Sequence, residues 1–390
     1  MILVFNFGSS SFKYKIFSLN NDEEIFGGRC YKTCGDSGIL IFKTKEKEFR
    51  YDVRYGTCKD AFESFKKVFS DNNFSDVLKN VKAIGHRVVH GGNYFKSQAV
   101  VINKNVLHKI KELIPLSPLH NRSNLDGILS CIDFFGNIKQ VAVFDTSFFS
   151  NLPKKAYTYA IPATIAKKHN IRKYGFHGIS HKYAYETCLR YLKKKNLKVV
   201  SCHLGSGSSI AAIVDGNPID TSMGLTPLGG LMMSTRCGSL DPSVIIHLKK
   251  IESLSSEKVY EILNSQSGIL GVSGFSDNIE KVIENYEKNE NCKLAVDMFC
   301  YKITKYIGSY ITVMNGCDAV VFTAGIGENS PFIRKNICES LSIFGVKLKK
   351  DNSENEVIVS SSNSKICILN LISDEEKCIY NETKLILNYR

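Results

Sequence analysis

Four residues combine side-chain types that could handle a charged, transferable group: Arg87, Asp145, His177 and Arg236. Both arginines are predicted in glycine-framed strands, GHRVVHGG and TRCG, where the backbone leaves room for a bulky anion and the planar guanidinium suits phosphate or carboxylate. Asp145, in FDTSF, ends an apolar run, and functional carboxylates of α/β proteins lie at strand ends. Taken singly, either arginine is more simply a surface loop residue and His177 a structural histidine, so these residues alone leave the chemistry open.

Two loops of small residues favour a phosphate-bearing ligand, because small side chains let backbone N–H groups approach an anion closely. The first, Gly8-Ser9-Ser10-Ser11, joins two apolar strands and is followed by Lys13. The second, Gly205-Ser206-Gly207-Ser208-Ser209, repeats this pattern half a chain later, before a strand that closes in an Asp-Gly turn. Either one alone is explained by a serine-rich hairpin. Together they predict a duplicated fold in which each half carries one phosphate-facing turn.

A third loop, Gly325-Ile326-Gly327-Glu328-Asn329, follows an apolar strand. We predict a glycine turn here that leads into a helix with Ser330 as its N-cap and Pro331 at its first position. Such a helix N-terminus is a suitable anion or nucleotide site. The segment lacks the third glycine of G-x-G-x-x-G and the lysine of a Walker P-loop, which excludes the Rossmann and P-loop classes.

The elements that would position these residues alternate between strands and helices in two α/β halves. A strand from Lys139 ends at Asp145-Thr146, and the irregular segment SNLPKKAYTYAIP crosses into the second half. There, SHKYAYETCLRYLKKK predicts a helix capped by Ser180. A second helical stretch runs from about Asn278 to Ile311, with a break near residues 289–292.

Length and composition describe an ordinary globular chain. At about 150 residues per domain, 390 residues predict two or three domains. We find no apolar run of the ~18 residues that a membrane span needs and no signal peptide, and therefore predict a cytoplasmic protein without a membrane partner. The 13 cysteines form no C-x-x-C pair, which argues against a disulfide framework and a zinc ribbon.

The net charge of +13 raises the question of a nucleic-acid partner. The lysines are interspersed with acidic residues, as in KTKEKEF, and no aromatic–basic stripe is present, so we predict no nucleic-acid binding. His86 and His90 have i,i+4 spacing, but the segment between them is predicted as strand, which disfavours a metal site there.

The motifs and their order resemble those of the acetate kinase (acetokinase) family, within the sugar kinase/Hsp70/actin superfamily. They span nearly the whole chain: N-x-G-S-S-S-x-K, GHRVVHGG, PLHN, FDTSF, YGFHGISH, DTSMGLTPL, TRCG, DPS, FTAGIGENS and DEE. The resemblance implies an α/β fold of two duplicated actin-like (ribonuclease H-like) domains with an active-site cleft between them. Residues 1–148 plus about 377–390 would form the acyl-side domain, and residues 149–376 the nucleotide-side domain.

The resemblance also implies an activity: reversible, Mg²⁺-dependent, direct in-line phosphoryl transfer between ATP and acetate, giving acetyl phosphate and ADP. Transfer of this kind needs cations and donors around the phosphoryl oxygens, which the residue types supply. The implied catalytic residues are Asp145, His177 and Arg236. Arg87 would bind the acid, and the small apolar pocket would consist of Val89, Leu119, Phe176 and Pro227. The implied nucleotide-binding residues are Lys13, His203, Leu204, Gly205, Ser206, Gly207, Asn278, Ile279, Glu280, Gly325, Ile326, Gly327, Glu328 and Asn329.

The metal, Mg²⁺ with Mn²⁺ as an alternative, is implied at Asn6 and Glu375. In SDEE, Ser373 and Glu376 satisfy the capping-box pattern, which would occupy Glu376 and leave Glu375 for the metal. The family further implies a homodimer.

The chain departs from the family's pattern mainly on the nucleotide side. Ser206 stands in place of an Asn, Gly229 of a Glu, Ser234 of a Gly and Ser239 of an Asp. Asn278-Ile279-Glu280 stands where Asp, an apolar or aromatic residue, and Arg are expected, although a shift of one residue would give Asp277 the Asp role. An Arg can stack on adenine and a Glu cannot.

These departures leave three hypotheses open. The first is a Mg-ATP acetate kinase. The second is a sister short-chain acyl kinase that takes propionate, or an acetate kinase that uses another nucleoside triphosphate or pyrophosphate. The third is a non-catalytic nucleotide-binding relative. The retained Arg87, Asp145, His177 and Arg236 argue against the third, and the intact loop 325–329 favours a nucleotide over pyrophosphate.

Overall fold

The computed structural model describes residues 1–8, 11–44, 46–72, 74–349 and 356–389, with the side chains of Cys58 and Leu119 left out. Contacts divide the chain into two compact units, Met1–Ser150 with Asp374–Arg390, and Asn151–Ser373. The breaks differ slightly from the predicted ones after residue 148 and before residue 377. The reason is local bonding, because Asp374 pairs with Lys15 of the first unit at 3.1 Å.

The strands are β1 (Ile2–Phe7), β2 (Ser11–Phe17), β3 (Glu24–Lys32), β4 (Ser37–Thr44), β5 (Glu48–Arg54), β6 (Ala83–Val88), β7 (Ala99–Val101), β8 (Lys139–Phe144), β9 (Lys198–Leu204), β10 (Ser208–Val214), β11 (Asn217–Thr221), β12 (Ala319–Thr323) and β13 (Cys367–Asn370). The α-helices are α1 (Cys58–Asp71), α2 (Ser75–Lys79), α3 (Lys104–Glu112), α4 (Pro118–Phe135), α5 (Lys154–Tyr157), α6 (Ala163–Lys168), α7 (Gly178–Leu192), α8 (Ser243–Ile251), α9 (Ser256–Ser265), α10 (Gly268–Ser273), α11 (Ile279–Glu284), α12 (Glu290–Val313), α13 (Ala324–Asn329), α14 (Pro331–Ser340) and α15 (Glu375–Ile386). Short 3₁₀ turns lie at Ile114–Leu116, Ser147–Phe149 and Ser342–Phe344.

Both units are built on the same five-stranded arrangement. In the first unit the order is β3-β2-β1-β6-β8, with β1, β2 and β3 antiparallel and β1, β6 and β8 parallel. In the second unit the order β11-β10-β9-β12-β13 has the same orientations. The first sheet is extended by β4 and β5 at one edge and β7 at the other. This is the strand order of ribonuclease H-like domains, so the predicted duplicated actin-like α/β fold is confirmed.

The two predicted small-residue hairpins are present. Asn6 pairs with Lys13 across β1 and β2, and Leu204 pairs with Ser208 across β9 and β10. Ser9 and Ser10 of the first turn lie outside the described residues. The first hairpin packs its phenylalanines into an aromatic core, in which Phe5 and Phe7 stack with ring centroids 5.0 Å apart.

Three local predictions are wrong. The helix predicted to begin at Ser180 begins at Gly178, because His177 serves as its N-cap with a left-handed backbone (φ 57°). The predicted glycine turn at 325–329 is the short helix α13, whose first N–H is accepted by the Glu328 carboxylate at 2.7 Å. Arg236 lies in a loop and not in a strand, because the loop closes on itself through Met233 N–H to Arg236 C=O at 3.0 Å.

The helix caps downstream agree better with the prediction. Ser330 caps α14 by accepting from the Ile333 N–H at 3.3 Å, and Pro331 is its first residue. The predicted long helical stretch is broken between α11 and α12, where Asn289 caps α12.

A substitution at Gly127 tests the packing of α4 on β1. A Cβ there would overlap the Phe7 ring, with Cε2 and Cγ only 2.6 Å away, and Phe7 is buried among other aromatic rings. We expect Gly127→Ala to lower the free energy of unfolding by about 1–3 kcal/mol through overpacking. Gly308→Ala in α12 is the matched control, because its Cβ would meet only Phe344 at 3.8 Å. That variant is expected to gain about 0.5–1 kcal/mol from helix propensity, and equal urea midpoints for the two variants would contradict the packing.

Candidate active site

Three polar side chains of the first unit meet at the carboxyl ends of the parallel strands β1, β6 and β8. Arg87, near the end of β6, donates from Nε and Nη2 to Asp145 Oδ2, which follows β8, at 3.0 and 2.5 Å. Its Nη1 donates to Asn6 Oδ1 of β1 at 3.2 Å. The Asp145 side chain is 1% exposed and that of Arg87 19%. The structure therefore brings together Asn6, Arg87 and Asp145, three residues that the sequence placed in the site. Of this pair of charged residues, Arg87 is the one that reaches solvent.

The N-terminus of α15 adds two carboxylates to this cluster. Asn6 Nδ2 donates to Glu375 Oε2 and to Glu376 Oε1, each at 3.3 Å, and Glu375 Oε2 lies 3.7 Å from Arg87 Nε. The predicted capping box is wrong, because Asp374 and not Ser373 is the N-cap and accepts from the Lys377 N–H. Sequence analysis missed Glu376. The only available signal was its place beside Glu375 in DEE, which the capping-box interpretation set aside.

The charges of this cluster compensate one another. Burial on its own lowers the pKa of Arg87, but Asp145 and Glu375 outweigh it and raise that pKa above its ordinary value. Burial raises the pKa of Glu376, and Lys13, opposite Asn6 in the hairpin, opposes that rise. The guanidinium is thus permanently charged and locked in orientation, as recognition of a small carboxylate requires.

Two asparagines of α4 fix the loop that follows β6. Asn124 accepts from the buried Val89 N–H at 3.0 Å and donates to the Phe7 carbonyl at 2.6 Å, so it ties the ends of β6 and β1 together. Asn121 exchanges two hydrogen bonds of 2.9 Å with the backbone of His90. Asn121 belongs to the PLHN motif and Asn124 lies just beyond it, and neither amide was assigned a role from the sequence. The side chain of Leu119, at the start of α4, lies outside the described residues.

In the second unit, His177 and Arg236 flank the small-residue hairpin. A Cβ placed on Gly207 would lie 3.4 Å from His177 Cε1 and 3.5 Å from Arg236 Nη1, so both side chains face the same glycine. His177 Nδ1 bonds to Ser209 Oγ at 2.9 Å, and its ring stacks on that of His203 at 4.2 Å. Three residues predicted from separate motifs are therefore neighbours.

Arg236 is held by uncharged acceptors. Its Nη1 donates to the Pro227 carbonyl at 3.2 Å and contacts Met233 Sδ at 3.5 Å. Among the described residues, the contacts shown for this guanidinium include no carboxylate. Burial lowers the pKa of Arg236 from its ordinary value, which identifies a charge that an incoming anion would stabilise. Phe176, beside His177, is buried.

The hairpin backbone is tightly closed. Gly205 N–H donates to Ser208 Oγ and to the Gly207 carbonyl, both at 3.2 Å, and the Ser206 carbonyl accepts from Ser234 N–H at 3.3 Å. Leu204 and Gly327 pack against one another, since a Cβ on Gly327 would lie 3.7 Å from Leu204 Cβ. The hairpin and α13 are therefore adjacent at the ends of β9 and β12.

Among the glycines of the candidate nucleotide loops, Gly325 at the start of α13 leaves open space. A Cβ on Gly325 would meet nothing within 4 Å, whereas Ile326 is buried. The Glu328 carboxylate accepts from Ala324 N–H at 2.7 Å and from Ser373 N–H at 2.8 Å, so it stabilises the fold around the helix. Asn329 ends α13 and lines a surface cavity with Arg190 and Asn370.

The segment at 278–280 also has internal roles. Asn278 is the N-cap of α11 and accepts from the Glu280 N–H at 2.8 Å. Ile279 is buried in the core of the second unit. Of the three side chains, only that of Glu280 is exposed to solvent without serving a cap or the core.

The donor chemistry fits a hard divalent cation in the first unit. Glu375 and Glu376 present carboxylate oxygens, the ligands that Mg²⁺ prefers, and Mg²⁺ needs few of them because it retains water and phosphate ligands. Asn6 Oδ1 accepts from Arg87 Nη1, so it would serve a cation only as a shared acceptor. No cluster of three or more His, Cys, Asp or Glu side chains able to enclose a metal occurs among the described residues. None of the described helices is long and apolar enough to cross a membrane.

Together, two arginines, a histidine, small-residue turns and hard oxygen donors on duplicated actin-like units define a phosphotransferase. Comparison with known proteins narrows the class. The acetokinase family model matches residues 1–381. The acetate kinase of Thermotoga petrophila is 40% identical over 99% of this chain and 98% of its own.

Solved structures agree. A propionate kinase from Francisella tularensis superposes with a TM-score of 0.93 at 40% identity, covering 98% of this chain and 99% of that one. The Porphyromonas gingivalis acetate kinase superposes with a TM-score of 0.91 at 36% identity, covering 99% of each chain. The chain belongs to the acetokinase family, as the resemblance of its motifs predicted.

Asn124→Ala tests whether α4 positions the first cluster. The change leaves a buried N–H and a buried carbonyl without their partner, and we expect a loss of about 2–4 kcal/mol in the free energy of unfolding. Because the ends of β1 and β6 would then move independently, kcat/KM for phosphoryl transfer should also fall about tenfold. Ser130→Ala, a partly exposed serine of the same helix, is the control and should change neither quantity. Unchanged thermal unfolding of Asn124→Ala would refute this role.

Proposed function

We propose that the protein is an acetate kinase that transfers the γ-phosphoryl group of ATP to acetate, reversibly, giving acetyl phosphate and ADP. The observation that carries this proposal is membership of the acetokinase family over residues 1–381. Curated acetate kinases about 40% identical over 99% of the chain support the same activity.

The first unit would recognise the acid. Arg87 would bind the carboxylate, and Asp145 would position Arg87 by accepting two of its N–H groups. Val89, buried beside Arg87, would contact the methyl group, and Leu119, Phe176 and Pro227 would complete this apolar pocket.

The second unit would handle the phosphoryl group. An acetate oxygen forms the new bond to phosphorus as the bond to the β-phosphate oxygen breaks, in line and without a phosphoenzyme. Arg236 and His177 would donate to the transferring oxygens, because both face Gly207 and the acceptors shown for Arg236 among the described residues are uncharged. Backbone groups of 203–207 and the open start of α13 would hold the nucleotide phosphates.

The remaining nucleotide and metal contacts extend this proposal. Lys13 would contact the phosphates from the first hairpin, and 278–280 together with 325–329 would contact the nucleoside. Asn6 and Glu375 would hold Mg²⁺, or Mn²⁺ in its place, with Glu376 supporting Asn6. When bound, the cation neutralises charge on the ATP phosphates.

We also propose a homodimer formed through α8. This helix buries none of its residues, and it exposes four apolar side chains: Val244, Ile245, Ile246 and Ile251. An apolar patch of this kind on one helix is typical of a protein interface. A second copy is the occupant that family membership favours, and the mass in solution tests it. The cytoplasmic location stays a prediction.

A propionate kinase is the second candidate, because the solved Francisella tularensis propionate kinase is also 40% identical. One methylene in a hydrophobic pocket is worth only ~1–3 kcal/mol, so a small change in pocket volume decides the preference. The test is acyl hydroxamate formation with acetate or propionate as acceptor and ATP, GTP or pyrophosphate as donor. Highest kcat/KM for acetate with ATP is expected. No acyl phosphate with any pair would refute an acyl kinase.

Arg236→Ala should lower kcat/KM by a factor of about 10² or more, since it leaves the charge of the transferring group unneutralised. The fold should persist, because no carboxylate of the protein loses its partner in the contacts described for Arg236. Arg50→Ala is the control: this exposed arginine of β5 bonds to the Tyr31 hydroxyl and should be dispensable for turnover. Near wild-type kcat/KM for Arg236→Ala would remove it from the site.

Val89→Ala should shift the acid preference toward propionate by a factor of about three or more, because it enlarges the pocket by roughly two methylenes. Val101→Ala, an exposed valine of the same unit, is the control. The ratio of kcat/KM for propionate to that for acetate is the measurement. An identical ratio in wild type and Val89→Ala would exclude Val89 from the pocket wall.

A further inference from the structure

A continuous chain of buried hydrogen bonds leads away from His177. His177 Nδ1 bonds to Ser209 Oγ at 2.9 Å, and the same oxygen bonds to His181 Nε2 at 2.8 Å. His181 Nδ1 then bonds to Ser201 Oγ at 2.9 Å. Ser209, His181 and Ser201 are fully buried.

The fold explains why these groups meet. His177 caps α7 and His181 follows one turn later, joined to it by a backbone bond of 2.9 Å from His181 N–H to the His177 carbonyl. Ser201 lies on β9, against which α7 packs, and Ser209 lies on β10, which pairs with β9. The chain therefore joins one helix to the two strands that carry the small-residue hairpin.

We propose that Ser209 and His181 are positioning residues that keep a hydrogen on Nε2 of His177, the nitrogen that faces Gly207 and Arg236. The inference rests on the proposed contact of His177 with the phosphoryl group. A donor is required there, because the transferring oxygens are negatively charged and accept hydrogen bonds.

The proton count explains how the chain works. Burial lowers the pKa of His181 well below its ordinary value, and His203 lowers it further, so His181 is neutral and has one donor and one acceptor nitrogen. A neutral His177 allows two directions for these bonds. We assign the one in which the buried Ser201 hydroxyl donates to His181 Nδ1, the side-chain acceptor shown for it among the described residues. His181 Nε2–H then donates to Ser209, and the Ser209 hydroxyl donates to His177 Nδ1. A neutral His177 then carries its single hydrogen on Nε2.

When His177 is protonated, the hydrogen bonds of the chain run in the opposite direction. The His177 Nδ1–H donates to Ser209, the hydroxyl donates to His181 Nε2, and His181 carries its hydrogen on Nδ1 toward Ser201. The two arrangements differ by one proton on His177 and by the tautomer of His181. In both, His177 presents Nε2–H, so the donor is present whether His177 is neutral or protonated.

Among the described residues, groups on β9, on α7 and in the loop of Arg236 face His177. His203 of β9 stacks on its ring at 4.2 Å, His181 of α7 acts through Ser209, and the Arg236 guanidinium faces the same glycine. His203 has a separate partner, because its Nδ1 bonds to Ser180 Oγ at 2.8 Å. Ser180 and Ser209 are thus two buried serines that each bond a histidine of this cluster, but of the two only Ser209 is part of the hydrogen-bond chain from His177 to Ser201.

The test is the pH dependence of kcat for acetyl phosphate formation in Ser209→Ala, with Ser180→Ala as the matched control. Without the Ser209 hydroxyl, a neutral His177 can place its single hydrogen on Nδ1 and so lose the Nε2–H donor. Protonated His177 carries hydrogens on both nitrogens and keeps that donor. We expect kcat of Ser209→Ala to be about tenfold below wild type at pH 8.5 and within about twofold at pH 6. Any deficit in Ser180→Ala should be the same at both pH values. A pH-independent deficit, or none, in Ser209→Ala would overturn the proposal.

A second measurement uses the unmodified protein and needs no activity. Imidazole ¹⁵N spectra of histidine-labelled protein, with the His177 signal assigned by its loss in His177→Ala, report the tautomer directly. Hydrogen on Nε2 at pH 8.5 supports the chain, and hydrogen on Nδ1 overturns it. If His177→Ala keeps wild-type kcat while the tautomer is as expected, the proposed contact of His177 with the phosphoryl group is wrong. In that case the hydrogen-bond chain has no role in catalysis.

Discussion

The buried charge of Arg87 is the constraint on which the first unit depends. An unpaired guanidinium at this depth would cost several kcal/mol, and breaking a buried ion pair typically costs about 3–5 kcal/mol. Asp145 supplies the counter-charge from the neighbouring parallel strand, and Asn6 supplies an acceptor from the strand on the other side. Glu375 comes from the far end of the chain, on the C-terminal helix α15 of the same unit, and adds a second carboxylate 3.7 Å from the guanidinium.

The two arginines of the site differ in how their charges are balanced. Arg87 has a carboxylate partner and a raised pKa. An acid that approaches it therefore meets a guanidinium of fixed orientation whose charge is largely neutralised by Asp145. Arg236 has a carbonyl and a thioether as its acceptors, and burial lowers its pKa. An anion therefore gains more electrostatic energy at Arg236 than at Arg87. This difference agrees with a weakly charged acid bound by the first unit and a highly charged phosphoryl group bound by the second.

Local patterns predicted the parts of the fold whose signals lie within a few residues. The hairpins at Asn6–Lys13 and Leu204–Ser208 were predictable, because Gly/Ser runs between apolar strands leave few other conformations. The segment 325–329 was not, because its glycines indicate a turn while the Glu328 carboxylate stabilises a helix. In SDEE the capping-box pattern suggested the wrong cap, since tertiary bonds to Asn6 hold Glu376. Partners more than a hundred residues apart, such as Asn124 and Phe7, leave no local signal at all.

The duplication explains how one architecture supplies two kinds of recognition. In each unit the first strand along the chain pairs in parallel with a later strand, β1 with β6 and β9 with β12. Phe5 lies opposite His86 in the first pair, and His203 lies opposite Thr323 in the second. Equivalent strand ends thus occupy equivalent positions. The first unit places long charged side chains there, and their ion pairs fix one orientation suited to a flat carboxylate. The second places small residues there, with a histidine and an arginine beside them, an arrangement that suits the proposed contacts with a tetrahedral phosphoryl group. Because the scaffold is shared, the proposed division of roles requires different side chains only at a few strand ends.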